Sequence, residues 1–400
     1  MTAMAAGWLV LMVLGVPVAF ALGAAVLVYM LLAGNTAMLF NIPGRIVGGL
    51  YSFPLLAVPF FILAGNLMNK SGVTQRLVAF ADTLVGFLPG GLGQVAVVSN
   101  IVMSGMSGSG LADASATGSV LIPAMRSKGF SPPFAAAIIG AAATMGPLIP
   151  PSIPAVVYGV LAEASIGALF IGGVIPGLIV GGSLMLLVAY LSRTRDIPRR
   201  ARPTLGELGH ATVAAIPALL LPVIILGGIL GGVFTPTEAA VVASAYAVLL
   251  GFVTRSLGLS DLADVFRETA LTSSVILLIV GAASLFAWVL TLNQVPQQLL
   301  ALLLGFTTDA NMTMLLLVLF MLFMGFFLDM MAVLIVSMPL INPIIAAVGI
   351  DPVHFGVVFA LGIMIGTITP PFGLILFLLS QMTGESIGRL ARELAPFYVV

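Results

Sequence analysis

The chain has 400 residues, of which 60% are hydrophobic and only 7% are charged, with a mean hydropathy of +1.24. A soluble domain normally carries about a quarter of its residues as charged side chains, so this composition excludes a soluble globular protein and predicts one that lives in a lipid bilayer. The 14 basic and 14 acidic residues cancel, which argues against a nucleic-acid partner. The absence of cysteine excludes disulfides and thiolate metal sites.

The sequence contains several stretches of about 20 apolar residues, the length that spans a bilayer as a helix. The first stretch lacks a basic leader and is longer than the apolar part of a signal peptide, so we expect it to be retained. Plain crossings are predicted at 7–33, 46–69, 166–192, 211–233, 236–256 and 270–292. Shorter stretches of mixed character, expected to lie along the membrane interface, are 72–88, 203–209 and 260–268.

Four further stretches have interrupted apolar character. Residues 91–126 and 310–348 each hold two short apolar arms, around the centres "SGMSGSGLAD" and "GFFLDMMA", which is typical of a hairpin that enters and leaves by the same face. Residues 131–163 and 352–382 contain the adjacent prolines of "GPLIPPS" and "GTITPP". Because proline removes a backbone N–H and blocks the carbonyl one turn earlier, each is predicted to cross as two half-helices around an unwound joint.

The distribution of basic residues supports this layout independently. The loop "RTRDIPRRAR", residues 193–202, carries five arginines and is predicted to be cytoplasmic. Counting crossings from this loop places every other Lys and Arg except Arg45 on the same side. The predicted external segments "NQVPQQ" and "GIDP" hold no basic residue.

The second half of the sequence repeats features of the first. Pairs that match at an offset of 220 residues are Pro123 with Pro343, Gly129 with Gly349, Pro132 with Pro352, Gly146 with Gly366, and Pro150 and Pro151 with Pro370 and Pro371; Pro17 matches Pro236 at 219. Five crossings separate the first span from its counterpart, and an odd number inverts the second copy. Chance explains single matches but not several in order, so we predict an all-α polytopic membrane protein with an inverted repeat, two re-entrant hairpins and two proline-broken helices, as in secondary transporters.

The broken helices also predict where ligands bind. Unwound carbonyls and half-helix carboxyl ends coordinate cations, whereas half-helix amino ends attract anions. Hydroxyls beside the joints, those of Ser152, Thr367 and Thr369, add oxygen ligands suited to a hard cation such as sodium. Asp329 lies at the centre of the second hairpin, where an ionisable group at membrane depth indicates function; the alternative is a structural carboxylate satisfied by nearby backbone.

Several long motifs, in order, resemble the large membrane subunit of tripartite ATP-independent periplasmic (TRAP) transporters. They are "SGMSGSGLADASATGSVLIPAMRSKGFSPPFAAAIIGAAATMGPLIPPSI", "SIGALFIGGVIPG", "FTPTEAAVVASAYA" and "DPVHFGVVFALGIMIGTITPPFG". The resemblance implies an elevator-type transporter in a bacterial inner membrane that takes up organic acids, such as C4-dicarboxylates or sialic acid, with sodium. It also implies two partners, a soluble periplasmic binding protein and a small four-helix membrane subunit.

The resemblance further implies a division of the chain into moving and fixed parts. The hairpins and broken helices, 91–163 and 306–382, would form the transport domain. The scaffold would comprise 1–90 and 164–305, with the second repeat beginning near 234. Such subunits usually finish with a full span, so residues 383–400, which end in "APFYVV", are expected to be the start of a final scaffold helix.

Two related sodium sites are predicted from this layout. The first combines the first hairpin with its joint, and its candidate ligands are Asn100, Ser104, Ser107, Gly146 and Ser152. The second combines the second hairpin with its joint, and its candidates are Asp329, Gly366, Thr367 and Thr369, with the glycines contributing carbonyls. Candidate substrate contacts at the hairpin centres are Ser107, Ser109 and Asp329.

Structural roles compete with these interpretations. Asp113 is equally well explained as a cap of the helix that follows it. Ser107 and Ser109 are also small enough simply to permit a tight hairpin tip, and Asn100 and Asn66 also suit amides that pack between helices.

The sequence disfavours three other functional classes. An ATP-driven pump is disfavoured because the sequence has no "GxxxxGK[ST]" motif. An intramembrane protease would have to pair Asp113 with Asp329, since "GSG" lacks a partner histidine. A channel needs a continuous pore, whereas two hairpins that enter from opposite sides favour alternating access.

Overall fold

The computed structural model describes residues 2–34, 36–195, 197, 200–371 and 373–400. Arg199 of the predicted cytoplasmic loop and Phe372 after the second proline pair therefore lie outside the described residues. Within these ranges the chain is helical and has no strand. The helices are α1 Thr2–Val13, α2 Val18–Leu32, α3 Ile42–Gly48, α4 Ala57–Lys70, α5 Val73–Val85, α6 Leu92–Ser107, α7 Gly110–Ser127, α8 Pro132–Ala143, α9 Ile153–Leu161, α10 Ile166–Thr194, α11 Leu205–Leu230, α12 Pro236–Val253, α13 Leu259–Leu292, α14 Val295–Phe306, α15 Ala310–Gly325, α16 Met330–Ala347, α17 Pro352–Thr367, α18 Leu374–Thr383 and α19 Ile387–Leu394.

Several helices are long and apolar enough to cross a membrane, which agrees with the composition. Six such elements occur among the described residues: Phe53–Lys70, Ile166–Thr194, Leu205–Leu230, Pro236–Val253, Leu259–Leu292 and Met330–Ala347. The predicted crossings 166–192, 211–233, 236–256 and 270–292 each correspond to one of these helices. The all-helical, polytopic class predicted from the sequence is confirmed.

The prediction of a single crossing at 7–33 is wrong. The segment forms two helices, α1 and α2, that pack against each other. The chain turns between them because Gly15 adopts φ +79° and Pro17 precedes the first turn of α2. A 12-residue helix such as α1 is about 18 Å long, too short to span a bilayer alone. The crossing at 46–69 is also shorter than predicted, since α3 ends at Gly48 and the continuous apolar element begins at Phe53.

Two of the predicted interfacial segments are parts of longer helices. Residues 205–209 form the first turn of α11, which begins with a capping box in which Thr204 and Glu207 bond each other's backbone N–H. Residues 260–268 belong to α13, where the Asp261 carboxylate accepts from Gly258 N and lies 3.3 Å from Lys70 Nζ. Segment 72–88 does form a separate helix, α5, with Leu77 and Ala81 buried.

Helix α14 was missed. The sequence predicts an external loop around Pro296, but proline is well tolerated in the first turn of a helix, where the structure places it. Helix α14 follows α13 and precedes the second hairpin, just as α5 follows α4 and precedes the first. The element order therefore extends the repeat beyond the matched prolines.

Each segment predicted to be a hairpin forms two helices joined by a tip, and each proline pair lies between two helices. Helices α6 and α7 form the first hairpin and α15 and α16 the second, while α8 and α9 flank residues 144–152 and α17 and α18 flank 368–373. Both Pro–Pro bonds, 150–151 and 370–371, are cis. Helix α9 packs against α16 of the other repeat, and α18 packs against α7, so the two repeats interlock.

The last residues pack onto the second joint. Helix α19 is short and amphipathic and contacts α8, and a 3-10 turn, Ala395–Val399, follows it. Phe397 is buried, and the Tyr398 hydroxyl donates to Ile368 O at 2.7 Å. Glu393 pairs with Arg195 at 2.8 Å. The described residues 387–399 therefore form a short surface helix and a turn, where the start of a long apolar span was expected.

Close contact between α15 and α17 leads to a stability prediction. A Cβ atom on Gly325 would lie 2.7 Å from Ile363 O and 3.2 Å from Gly366 Cα, both backbone atoms that cannot rotate away. We expect Gly325→Ala to destabilise the protein by about 1–3 kcal/mol, measured as a lower midpoint of thermal unfolding in detergent. Gly23→Ala is the matched control, since nothing lies within 4 Å of that Cβ position. Equal midpoints for the two variants would contradict this packing.

Candidate functional site

The two hairpin tips, the first joint and the residues on either side of the second joint line one cavity of about 330 Å³. Two further helices, α4 and α13, complete its wall. The lining residues are Ile62, Gly108, Ser109, Gly110, Leu111, Pro147, Ile153, Pro154, Thr272, Ile276, Asp329, Met330, Met331, Met364, Thr367, Leu374 and Ile375. Parts of both repeats therefore meet at this cavity.

Glycines allow the backbones to approach closely at this meeting point. A Cβ atom on Gly108, at the first tip, would lie 2.9 Å from Ser152 Cα in the first joint. A Cβ atom on Gly146 would lie 2.7 Å from Gly110 N. In the second repeat, Gly373 N donates to Phe326 O at 3.1 Å. Each tip is therefore fixed directly against the joint of its own repeat.

Four helices begin at the cavity. Helices α7, α9, α16 and α18 start at Gly110, Ile153, Met330 and Leu374, and each of these first residues lines the cavity. The amino end of a helix carries partial positive charge and N–H groups without intrahelical acceptors. Four such ends around one cavity make it suited to an anion.

The side chains that precede these four helices differ. Ser109, Ser152 and Asp329 cap α7, α9 and α16 by accepting hydrogen bonds from backbone N–H groups. Gly373, before α18, provides no side-chain cap. Ser109 and Ser152 therefore both have a structural role as helix caps, which the sequence did not indicate, and Ser109 in addition lines the cavity.

Asp329 combines a structural role with an exposed position. Its Oδ1 atom accepts from Met331 N at 2.6 Å and from Ala332 N at 3.3 Å, as the structural alternative required. Its other oxygen, Oδ2, has no hydrogen-bond partner among the described residues, and the side chain is exposed at the cavity. One carboxylate oxygen is therefore available to a ligand.

The second predicted sodium set is only partly brought together. Asp329 and Thr367 line the same cavity, although the Thr367 hydroxyl donates to Met364 O at 2.7 Å. Thr369 does not line it, and its hydroxyl donates to Ile365 O at 2.6 Å. Gly366 packs against Gly325 of the first arm of the hairpin.

Three members of the first predicted sodium set, Ser104, Ser107 and Gly146, lie at the carboxylate of Asp113, whereas Ser152 caps α9. Its side chain is fully buried, with the Ser107 hydroxyl donating to Oδ1 at 2.5 Å and Ser104 Oγ lying 3.4 Å from Oδ2. A Cβ atom on Gly146 would lie 2.8 Å from Oδ2, so the first joint also reaches the carboxylate. The interpretation of Asp113 as a helix cap is wrong, since Ser109 caps α7.

Two further buried polar side chains extend this cluster. Asn100 Nδ2 donates to Ala96 O at 2.8 Å and lies 3.2 Å from Thr117 Oγ1. The Thr117 hydroxyl donates to the backbone oxygen of Asp113 at 2.6 Å. Thr117 was missed from the sequence, although its position four residues after Asp113 places both on one face of a helix. Asn66, in contrast, bonds Thr269 Oγ1 at 3.2 Å and joins α4 to α13, which is a packing role.

No basic side chain pairs with Asp113 among the described residues. The acidic partners in the salt bridges of the described residues are Asp82, Glu207, Asp261, Glu385 and Glu393. A charged carboxylate buried without a counter-charge is strongly destabilising. A cation among these oxygens would supply the missing charge, and an all-oxygen set suits a hard cation.

The second hairpin, whose residues 310–347 are all described, lacks an equivalent cluster. At an offset of 220 residues, Asn100, Ser104, Ser107 and Asp113 correspond to Phe320, Met324, Phe327 and Val333. Phe323, Phe326 and Phe327 instead form an aromatic group at the second tip, with ring centroids 5.4–6.4 Å apart. The structure therefore does not support two closely similar sites, because only the first hairpin carries a buried carboxylate.

Nearly the whole chain matches one known protein family. The family model for the tripartite ATP-independent periplasmic transporter, DctM component, matches residues 6–400. The chain is 40% identical over 394 residues to the sialic acid TRAP transporter large permease protein SiaM of Vibrio cholerae, covering 98% of this chain and 92% of that protein. It is 39% identical over 349 residues to the C4-dicarboxylate TRAP transporter large permease protein DctM of Pseudomonas aeruginosa, covering 87% and 82%.

A solved structure shares the fold. The YdaH transporter of Alcanivorax borkumensis, described as having an unusual topology, superposes with a TM-score of 0.67 over 92% of this chain and 86% of that one. The sequence identity is 17%, so this likeness concerns the fold alone.

Proposed function

The chain belongs to the DctM component family of tripartite ATP-independent periplasmic transporters, and we propose that it takes up an organic acid by sodium-coupled, elevator-type alternating access. Like its permease relatives, it is a multi-pass inner-membrane transport subunit and not an enzyme. The four helix amino ends around one cavity are the observation that carries the proposal, because together they provide an anion site where both repeats meet.

Sodium coupling is supported by the cluster around Asp113. The cluster lies directly behind the first tip, since Ser107 bonds Asp113 while the neighbouring Ser109 lines the cavity. A sodium ion bound there would neutralise the carboxylate and hold the tip against the joint through Gly146. Sodium would in this way shape the cavity before the acid binds. The proposed ligands are Asp113, Ser104, Ser107, Asn100 and the carbonyl of Gly146.

An elevator movement is supported by how the helices pack. The hairpins and joints of the two repeats interlock through α9 with α16 and α18 with α7, so these segments would move as one transport domain, 91–163 with 306–382. Helix α4 packs against α12 and α13, and α13 also packs against α2, which fits a scaffold. In this proposal each hairpin is re-entrant and the second repeat is inverted.

Transporters of this family work with a substrate-binding protein and a small membrane subunit. We propose that a soluble periplasmic binding protein delivers the acid to this chain and that the small subunit has four helices and completes the scaffold. Relatives named for sialic acid and for C4-dicarboxylates define the range of acids to test first.

Uptake of radiolabelled acids into proteoliposomes tests the proposal. With the small subunit and the binding protein present, we expect saturable uptake that requires an inward sodium gradient. Uptake that is unchanged when potassium replaces sodium would refute sodium coupling, and uptake without a binding protein at the same rate would refute delivery by that partner.

The same assay separates the two predicted sodium sets. We expect Ser107→Ala to raise the sodium concentration for half-maximal uptake about tenfold, because the variant loses a hydrogen bond to a buried carboxylate. Thr369→Ala should change it less than about twofold, since that hydroxyl bonds Ile365 O and does not line the cavity. Equal shifts in the two variants would contradict the assignment of sodium to the first hairpin.

A further inference from the structure

Thr272 presents a hydroxyl group to the cavity from the scaffold side. It lies on α13, lines the cavity together with residues of both hairpin tips, and is exposed. Threonines inside apolar helices usually bond a carbonyl of the preceding turn, and Thr291 on the same helix does so with Ala287 O at 2.9 Å. Thr272 has no hydrogen-bond partner among the described residues. Its hydroxyl is therefore free to bond a ligand.

The polar groups of this cavity are mainly acceptors and hydroxyls. Asp329 Oδ2 is an open acceptor, and the hydroxyls of Ser109 and Thr272 both donate and accept. No Lys, Arg or His is among the described residues that line the cavity. The helix amino ends can hold one carboxylate, but a second carboxylate would have to lie near Asp329 with no basic side chain between them.

The volume of the cavity also favours a substrate with a single carboxylate. About 330 Å³ lies at the lower end of the range for drug-sized ligands, about 300–1,000 Å³, and leaves room beyond a four-carbon acid. A sugar acid would fill more of this space, would place its single carboxylate at the helix amino ends, and would offer hydroxyls to Asp329 Oδ2 and Thr272.

We infer, building on the proposed function, that the transported substrate is a hydroxyl-rich monocarboxylic acid and that Thr272 is a specificity-determining contact from the scaffold. Asp329 Oδ2 accepts a hydrogen bond from one substrate hydroxyl, and Thr272 bonds another. Since Thr272 belongs to the scaffold and Asp329 to the moving hairpin, the substrate bridges the two domains at this stage of transport.

Calorimetric binding to the purified complex of this chain with its small subunit tests the inference. The binding protein is omitted so that selectivity is read at this cavity, and the probes are gluconate, galacturonate and sialic acid against succinate and adipate, in saturating sodium. We expect at least one sugar acid to bind about tenfold or more tightly than either dicarboxylate. Thr272→Val, which keeps the shape and removes the hydroxyl, should weaken that acid about tenfold and change dicarboxylate binding less than twofold.

Thr291→Val on the same helix is the matched control and should leave every dissociation constant unchanged. The inference is overturned if a dicarboxylate binds as tightly as the best sugar acid or if no sugar acid binds. It is also overturned if Thr272→Val leaves the dissociation constant of the sugar acid unchanged. Sodium-driven uptake of the same acids distinguishes failure of this inference from failure of the proposed function. Preferential uptake of succinate would refute only this inference. Uptake of every acid at a rate that does not depend on sodium would refute the proposed function.

Discussion

Replacing Asp113 with asparagine is expected to raise the sodium concentration for half-maximal uptake at least about 100-fold. Asparagine keeps the size of the side chain and can still accept the hydrogen bond from Ser107, so the principal loss is the negative charge. At about 4 Å, two opposite charges contribute about 4 kcal/mol at an effective dielectric constant near 20, and each 1.4 kcal/mol corresponds to a factor of ten in affinity. Losing this term should remove most sodium binding.

The measurement is the initial uptake rate against sodium concentration in proteoliposomes, at saturating substrate. Asp351→Asn is the matched control: Asp351 caps α17, where it accepts from His354 N at 2.8 Å, and it does not line the cavity. If Asp113 instead carries a proton and serves only the packing of α6 and α7, asparagine would imitate the neutral acid. A wild-type sodium midpoint for Asp113→Asn would therefore exclude it as a sodium ligand.

Asp329→Asn is expected to raise the substrate concentration for half-maximal uptake about 10- to 100-fold. A hydrogen bond to a charged group contributes about 1.5–3 kcal/mol, and the amide nitrogen of asparagine cannot accept the bond that Oδ2 would accept from the substrate. Asparagine caps helices about as well as aspartate, so the hydrogen bonds to Met331 N and Ala332 N can persist and the protein should still fold.

Asp309→Asn is the control that separates helix capping by Asp329 from its contact with the substrate. Asp309 caps α15, with its carboxylate accepting from Met312 N at 2.8 Å, and it does not line the cavity. Uptake by Asp309→Asn should be close to wild type. The sequence suggested both a sodium and a substrate role for Asp329, so its sodium midpoint at saturating substrate is informative. A large shift there with an unchanged substrate midpoint would assign Asp329 to a cation and contradict our proposal.

The membrane class, the two hairpins and the two joints could be predicted from the sequence because each depends on local chemistry. An apolar run reports the transfer free energy of its own residues, and the Pro150–Pro151 and Pro370–Pro371 pairs remove backbone hydrogen bonds wherever they stand. The family resemblance was confirmed for the same reason, since its motifs are continuous stretches of chain. Averaged hydropathy does not report where a backbone turns, so the division of 7–33 at Gly15 and the helix around Pro296 were missed.

The composition of the site required the tertiary structure. Ser107 and Asp113 lie on different arms of the first hairpin, and the fold of that tip alone decides that the hydroxyl bonds the carboxylate and does not point into the cavity. Thr272 is separated from Asp329 by two whole helices, α14 and α15, and from Ser109 by more than half the first repeat, so no spacing rule could join them. Sequence pattern specifies elements whose stabilisation is local, whereas burial, and with it the demand of a carboxylate for a counter-charge, exists only once distant helices have packed.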